Sequence, residues 1–196
     1  MSAIPTPRFT FDEYLVRERV AEEKSEFYRG EIFAMAGGSP RHNTICLNIA
    51  TALHVRLRGT PCQPFGSDQR LRIPANGLST YPDVLVVCGE LQHDEFDQDA
   101  IVNPRVLVEV LSPSTEDYCR GRKFVLYRQL ESLREYIVVA QNEPLIEHHV
   151  LQPNGSWLLT ESRGLDSTLR LATIEGSLPF AEIYARVKFG DSREGL

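Results

Sequence analysis

Two apolar runs, each interrupted by one carboxylate, constrain this chain more than anything else in it. Tyr81-Pro82-Asp83-Val84-Leu85-Val86-Val87 and Val106-Leu107-Val108-Glu109-Val110-Leu111 are β-branched and nearly continuous in hydrophobicity, the pattern of central strands covered on both faces. An ionised carboxylate is seldom left unpaired in such a place, because desolvation costs several kcal/mol or drives the group to protonate. A divalent cation shared between the two strands removes that cost, and one arginine per acid is the alternative. The recurrence of the motif on what read as neighbouring strands, with a lysine on the next helix, favours the cation.

The remaining elements build an α/β sandwich around these strands. Thr10 is a candidate N-cap for a helix from Phe11 to about Glu23, and two short strands turn at Arg29-Gly30. After the Gly37-Gly38-Ser39-Pro40 breaker, Ile45, Ile49, Leu53 and Leu57 recur at helical spacing. Strands are expected at Cys62–Phe65 and at Arg70–Ile73, where Arg70 and Arg72 alternate with Leu71 and Ile73 and imply one exposed face. Residues 92–99 are polar and acidic, the mark of a surface loop or short helix. Ser112-Pro113-Ser114-Thr115 ends the second central run; Ser112, Ser114 and Thr115 invite a nucleophile reading, but no His follows within the motif, and capping of a helix over Arg120–Leu130 is favoured. A right-handed crossover sets that helix near the point where Glu109 emerges, making Lys123 a candidate neighbour of both acids. A strand at 135–140, hairpins at 146–151 and 157–160 joined at Pro153-Asn154-Gly155, and a short helix at 179–186 complete the chain.

At 196 residues, 42% hydrophobic and 24% charged, one domain is expected: a core over about 11–140, a β-rich extension over 141–178 and a terminal helix over 179–188. No apolar run approaches a membrane span and the N-terminus lacks a signal-peptide layout, so a cytoplasmic protein is expected. Cys46, Cys62, Cys88 and Cys119 form no Cys-x-x-Cys motif and read as reduced thiols, with no zinc site expected. A net charge of −6 argues against coating nucleic acid by electrostatics alone, while leaving room for a nuclease whose acids bind cations. The basic side is 18 Arg to 3 Lys, compatible with phosphate contacts and equally with a solvated surface.

Asp and Glu together suit a hard cation, Mg²⁺ or Mn²⁺, and such an ion with a nearby lysine can hydrolyse a phosphodiester. Among supporting residues, Glu31 is either a third acid or a partner of Arg29, and Asp68 either reaches the ion or belongs to a turn. His42, near the start of the long helix, either meets phosphate or packs. His148 and His149 point to opposite sides of a strand and cannot easily share an ion. Trp157 reads as core or interface.

Pro82-Asp83 followed by Glu109-Val110-Leu111 is similar to the PD-(D/E)XK nuclease signature. The surrounding residues resemble the Uma-two family of restriction endonucleases: Gly30-Glu31-Ile32 with Met35, Gly38-Ser39-Pro40 with His42, Ser67-Asp68 with Arg70, Val108-Glu109-Val110-Leu111-Ser112-Pro113-Ser114-Thr115, Lys123, Tyr127 and Ser132-Leu133 with Glu135-Tyr136. The resemblance implies a restriction-endonuclease-like core, a central mixed β-sheet flanked by helices, with a β-hairpin-rich C-terminal extension. It also implies Mg²⁺-dependent DNA cleavage with Asp83 and Glu109 on the metal. Leu111 stands where the signature has lysine, and the resemblance assigns that role to Lys123; Cys119 stands where the family tends to carry Asp. The apolar hairpin residues Leu151, Trp157 and Leu159 suggest a homodimer. A fold-retaining module without catalysis, and a hydrolase of small phosphoesters, are the competing readings.

Overall fold

A computed structural model describes residues 8–112 and 118–189. The expected caps at Ser114 and Thr115 lie outside the described residues. Helix α1 (Phe11–Glu18) starts on a reciprocal capping box between Thr10 and Glu13 and stops a turn earlier than its pattern suggested. Strands β1 (Ser25–Tyr28) and β2 (Glu31–Ala34) form a hairpin whose turn needs two left-handed residues, Arg29 at φ 51° and Gly30 at φ 87°. Helix α2 (Pro40–Arg56) is capped by Ser39 with proline in its first turn.

There follow β3 (Cys62–Gly66), β4 (Arg70–Ile73), β5 (Leu78–Thr80), β6 (Val84–Cys88), β7 (Ala100–Ile101) and β8 (Val106–Val110). One π-helical turn, Cys119–Lys123, runs into the short α3 (Phe124–Tyr127). Strands β9 (Glu135–Val139), β10 (Leu145–Leu151), β11 (Trp157–Arg163), β12 (Thr168–Arg170) and β13 (Ser177–Pro179) precede α4 (Phe180–Ile183). The main sheet has the order β11-β10-β9-β8-β6-β3, antiparallel throughout except for the parallel pair β8–β9. That pair needs a crossover, and the π turn with α3 supplies it. A smaller sheet runs β2-β1-β5-β4-β7.

Both faces of the central strands are covered. Val84, Val86, Val106, Val108 and Val110 pack toward Ile45, Ile49 and Leu53 of α2, while Leu85, Val87 and Leu107 pack toward Leu71 and Ile73 of the smaller sheet and Tyr127 of α3. Strand periodicity alone assigns the alternate residues to opposite sides. Among the described residues no helix is long and apolar enough to cross a membrane.

Three local expectations change. Arg70 and Arg72 do not face solvent: Arg70 is buried and its Nη1 meets the Asp97 carboxylate, while Arg72 lies 3.9 Å over the Phe11 ring and 3.9 Å from Asp94. The acidic segment after β6 is correspondingly not a plain surface loop, because Asp94 and Asp97 are both buried against those arginines. Cys62 and Cys88, register partners on β3 and β6, form a disulfide, so only Cys46 and Cys119 are thiols.

Candidate functional site

The antiparallel register of β6 and β8 pairs Val84 with Val108. Asp83 comes immediately before β6, so the register continued by one residue brings it level with Glu109 at the end of the pair. Asp83 leaves the chain just after Pro82, where the preceding Tyr81 is pinned: Arg70 Nε donates to its hydroxyl at 2.8 Å, and that hydroxyl donates to Glu18 at 2.8 Å. The Asp83 carboxylate then accepts the Val110 amide at 2.7 Å, which ties the end of β6 to the end of β8. No arginine contacts either acid among the described residues.

Lys123 arrives from the crossover, which packs on the same face of the sheet as Glu109. The π turn is one residue wider than an α turn, and Tyr136 Oη holds it by donating to the Cys119 carbonyl at 2.9 Å. This delivers the Lys123 ammonium, 4% exposed, to 2.9 Å from Glu109 Oε1 and 3.2 Å from Glu26 Oε1. Tyr127, one turn on, donates its hydroxyl to the same Glu109 oxygen at 2.6 Å. Both contacts fall on Oε1, so a cation can take Oε2 without displacing either.

Glu26 escapes the sequence reading. It sits in the middle of β1, accepts from Thr80 Oγ1, and lies 3.4 Å from the Tyr118 hydroxyl that donates to it. The signal available was the alternation of Glu26 with Phe27 in a strand, but its value depends on β1 pairing with β5, a contact more than 50 residues away in sequence. Glu31, by contrast, is exposed at the start of β2, opposite Tyr28. Asp68 is exposed and bound by Lys24 at 2.9 Å. Among the described residues neither contacts Asp83 or Glu109, although Asp68 lines the same groove as Asp83.

His42 joins Asp83 from the first turn of α2, its Nε2 3.3 Å from Asp83 Oδ2. One helical turn later Cys46 Sγ stands 3.5 Å from His42 Nδ1. His148 is held 2.6 Å from the buried Glu135, and His149 lies against Phe124, so the two histidines face different neighbours.

The electrostatics follow from burial around an excess of negative charge. Desolvation pushes the Glu109 carboxyl up to about 7; Lys123 opposes that rise and Asp83 adds to it. Burial works against the Lys123 ammonium, yet Glu109, Tyr127 and Glu26 outweigh it and hold the lysine well above its ordinary value. Desolvation likewise works against charged His42, and the Asp83 hydrogen bond and charge reverse the balance, raising it. Glu26 and Glu109 share the Lys123 ammonium and Asp83 stands nearby with His42, so the ionised cluster carries a formal surplus of two negative charges with His42 neutral and of one with it charged. That surplus, on oxygen donors, fits a hard divalent cation between Asp83 and Glu109. An open groove of about 540 Å³ leads to Asp83 past Asn43, Cys46, Phe65 and Gly66.

Two proteins of Synechocystis resemble the chain throughout. "Uncharacterized protein sll1609" is 36% identical over 172 residues, 88% of this chain and 97% of that protein. "Uncharacterized protein slr1290" is 35% identical over 185 residues, 94% of this chain and 96% of that protein. The fold is shared with the crystal structure of "a putative nuclease belonging to DUF820" from Anabaena variabilis, at a TM-score of 0.75 and 15% identity, covering 92% of this chain and 99% of that one. The Uma2 family model, described as "Putative restriction endonuclease", matches residues 11–181, the sheet, the acids and the lysine together. The chain therefore belongs to the Uma2 family.

Proposed function

We propose that the protein is a Mg²⁺- or Mn²⁺-dependent endodeoxyribonuclease in which Asp83 and Glu109 hold the cation and Lys123 assists hydrolysis. The observation that carries this reading is the Asp83 carboxylate held on the amide of Val110, the residue after Glu109, with the Lys123 ammonium 2.9 Å from Glu109. When bound, the cation supplies Lewis acidity toward a phosphate oxygen and lowers the pKa of a water. Asp83, fixed by the Val110 amide, presents its carboxylate at a constant position. Lys123, kept charged by Glu26 and Glu109, offers N–H donors toward the phosphate or the attacking water. Tyr127 holds Glu109 in one orientation. Leu111 is packed in the core, so the ammonium that the motif places there comes instead from the crossover. The test is cleavage of supercoiled plasmid with Mg²⁺, with chelator, and by Asp83→Ala. Metal-stimulated cleavage lost in the variant supports the reading; DNA binding that ignores chelator, with no cleavage of any DNA form, replaces it with a non-catalytic module. A chromogenic phosphodiester cleaved in preference to plasmid would redirect it to small phosphoesters.

The pH dependence of metal binding has a definite sign. Because Glu109 titrates at about 7, a proton occupies it in part at neutral pH and competes with the cation. Mn²⁺ affinity is therefore expected to rise with pH up to and through about 7 and then level off, with proton release below that point. Calorimetry in two buffers of different ionisation enthalpy measures that release directly. Affinity flat from acid to neutral pH would exclude Glu109 as a ligand.

We also propose that the enzyme acts in the cytoplasm as a homodimer, an arrangement suited to cutting both strands. Supporting this, β11 is an edge of the main sheet, and Leu158, Leu159 and Leu165 on and beside it are about half exposed. Sedimentation at micromolar concentration is expected to give twice the 22.2 kDa of the chain, and a single monomeric boundary would refute it.

A further inference from the structure

We infer that His42, Cys46 and Asp83 form a binding site for a thiophilic divalent cation of the Zn²⁺ class, one that shares Asp83 with the hard-cation site and so excludes it. His42 and Cys46 are four residues apart on α2, which stacks them on one helical face. The same spacing lets two side chains of a helix chelate one metal in known zinc enzymes. Strand β6 brings Asp83 to meet them, and one ligand atom from each of the three lies within 4.8 Å of the others.

A tetrahedral ion would draw these ligands in from the 4.8 Å span that encloses one atom of each, with the imidazole turned so that a single nitrogen serves, because Cys46 meets Nδ1 and Asp83 meets Nε2. Zn–S near 2.3 Å and Zn–N near 2.0 Å require ligand atoms roughly 3.3–3.6 Å apart. Cys46 Sγ is 3.5 Å from His42 Nδ1, and Asp83 Oδ2 is 3.3 Å from His42 Nε2. Cys46 and Asp83 both line the open groove, which gives an ion a path in and leaves a fourth position for water.

Donor chemistry separates this site from its neighbour. Sulfur and imidazole favour Zn²⁺, Co²⁺ or Cu²⁺ over Mg²⁺, whereas Asp83 with Glu109 offers oxygen alone. Without an ion, burial and the nearby Asp83 and Glu109 carboxylates keep the Cys46 thiol protonated. On coordination the Sγ proton, and the proton on the ligating nitrogen of His42 where that ring is charged, pass to solvent, and the sulfur binds as thiolate. Cation choice at Asp83 thus becomes a switch, and its consequence for cleavage, inhibition by Zn²⁺, rests on the nuclease reading above. The binding itself does not.

Co²⁺ reports the site without reference to activity. Titrated into the protein in the absence of thiol reductant, Co²⁺ is expected to produce a near-ultraviolet thiolate-to-cobalt charge-transfer band and visible bands of tetrahedral intensity, both displaced by Zn²⁺. Cys46→Ser is expected to lose the charge-transfer band, and His42→Asn and Asp83→Asn to weaken Co²⁺ binding, while Cys119→Ser keeps the spectrum. Circular dichroism establishes that each variant is folded, and Cys46→Ala serves if the serine variant is not. No band in the wild type, or a band that survives Cys46→Ser or disappears in Cys119→Ser, overturns the proposal. A cobalt band together with a protein that cuts no DNA leaves the site standing and removes only the nuclease reading.

Discussion

Lys123→Met is expected to lower metal-dependent DNA cleavage by about two to three orders of magnitude, the usual cost of deleting one positioned donor from a phosphoryl or acyl transfer site. Lys123 is the one ammonium within reach of both Glu26 and Glu109 among the described residues, at 3.2 and 2.9 Å. Methionine matches much of its length but supplies neither charge nor N–H. Two buried carboxylates then face each other across an apolar side chain, and Glu109, already raised to about 7, rises further. The variant should consequently bind Mn²⁺ at alkaline pH and lose that binding at neutral pH more steeply than the wild type. Single-turnover cleavage of supercoiled plasmid measures the chemical effect, and thermal melting separates it from unfolding. Lys123→Arg is not expected to rescue, because a planar guanidinium needs room that the Tyr127 and Tyr118 rings flanking the ammonium do not leave. Cleavage by Lys123→Met at the wild-type rate would remove the lysine from the chemistry.

Why the position of Lys123 beside Glu109 is legible in the sequence, and that of Glu26 is not, comes down to the range of the contacts involved. The apolar runs of β6 and β8 announce central strands, and their antiparallel pairing is enough to bring Asp83 level with Glu109. A right-handed crossover then brings the next helix over the same end of the sheet, which is where Lys123 lies. The detail of that helix was not legible, since a π turn carries no periodicity of its own and here takes a tertiary bond from Tyr136. Glu26 is fixed by β1 joining β5, and its neighbour Thr80 and its counterion come from far along the chain. Glu31 reads from the sequence as a third acid or a partner of Arg29, yet a hairpin turn says only that a chain reverses, not which end faces the core. The His42–Cys46 spacing was present in the sequence, but it becomes a possible ligand pair only when β6 delivers Asp83 to the same helix face.

The arginines of β4 show the same limit, and they set up the largest stability effect. Alternation predicts a wet face for Arg70 and Arg72 only if nothing folds over it, whereas the segment after β6 returns Asp94 and Asp97 to that face. Asp97→Ala is expected to destabilise the protein by about 3–5 kcal/mol, because it strands a buried guanidinium rather than merely deleting a bond. Asp97 is fully buried, binds Arg70 Nη1 and caps the Asp99 amide at 3.3 Å. Deprived of it, Arg70 retains the Tyr81 hydroxyl as its hydrogen-bond acceptor, and the chain Arg70–Tyr81–Glu18–Ser25 slackens. Tyr81 is two residues from Asp83, so Mn²⁺ affinity should fall in the still-folded variant as well. A drop in melting temperature of roughly 10 °C is the expected reading. The double variant Arg70→Met with Asp97→Leu discriminates the cause. If the penalty comes from an unpaired buried charge, replacing both partners by apolar groups recovers most of the stability lost in Asp97→Ala while leaving Tyr81 loosely held and Mn²⁺ binding weak. If both variants melt alike, the cost lies in the Asp97 turn itself, and the arginine network is not what positions Asp83.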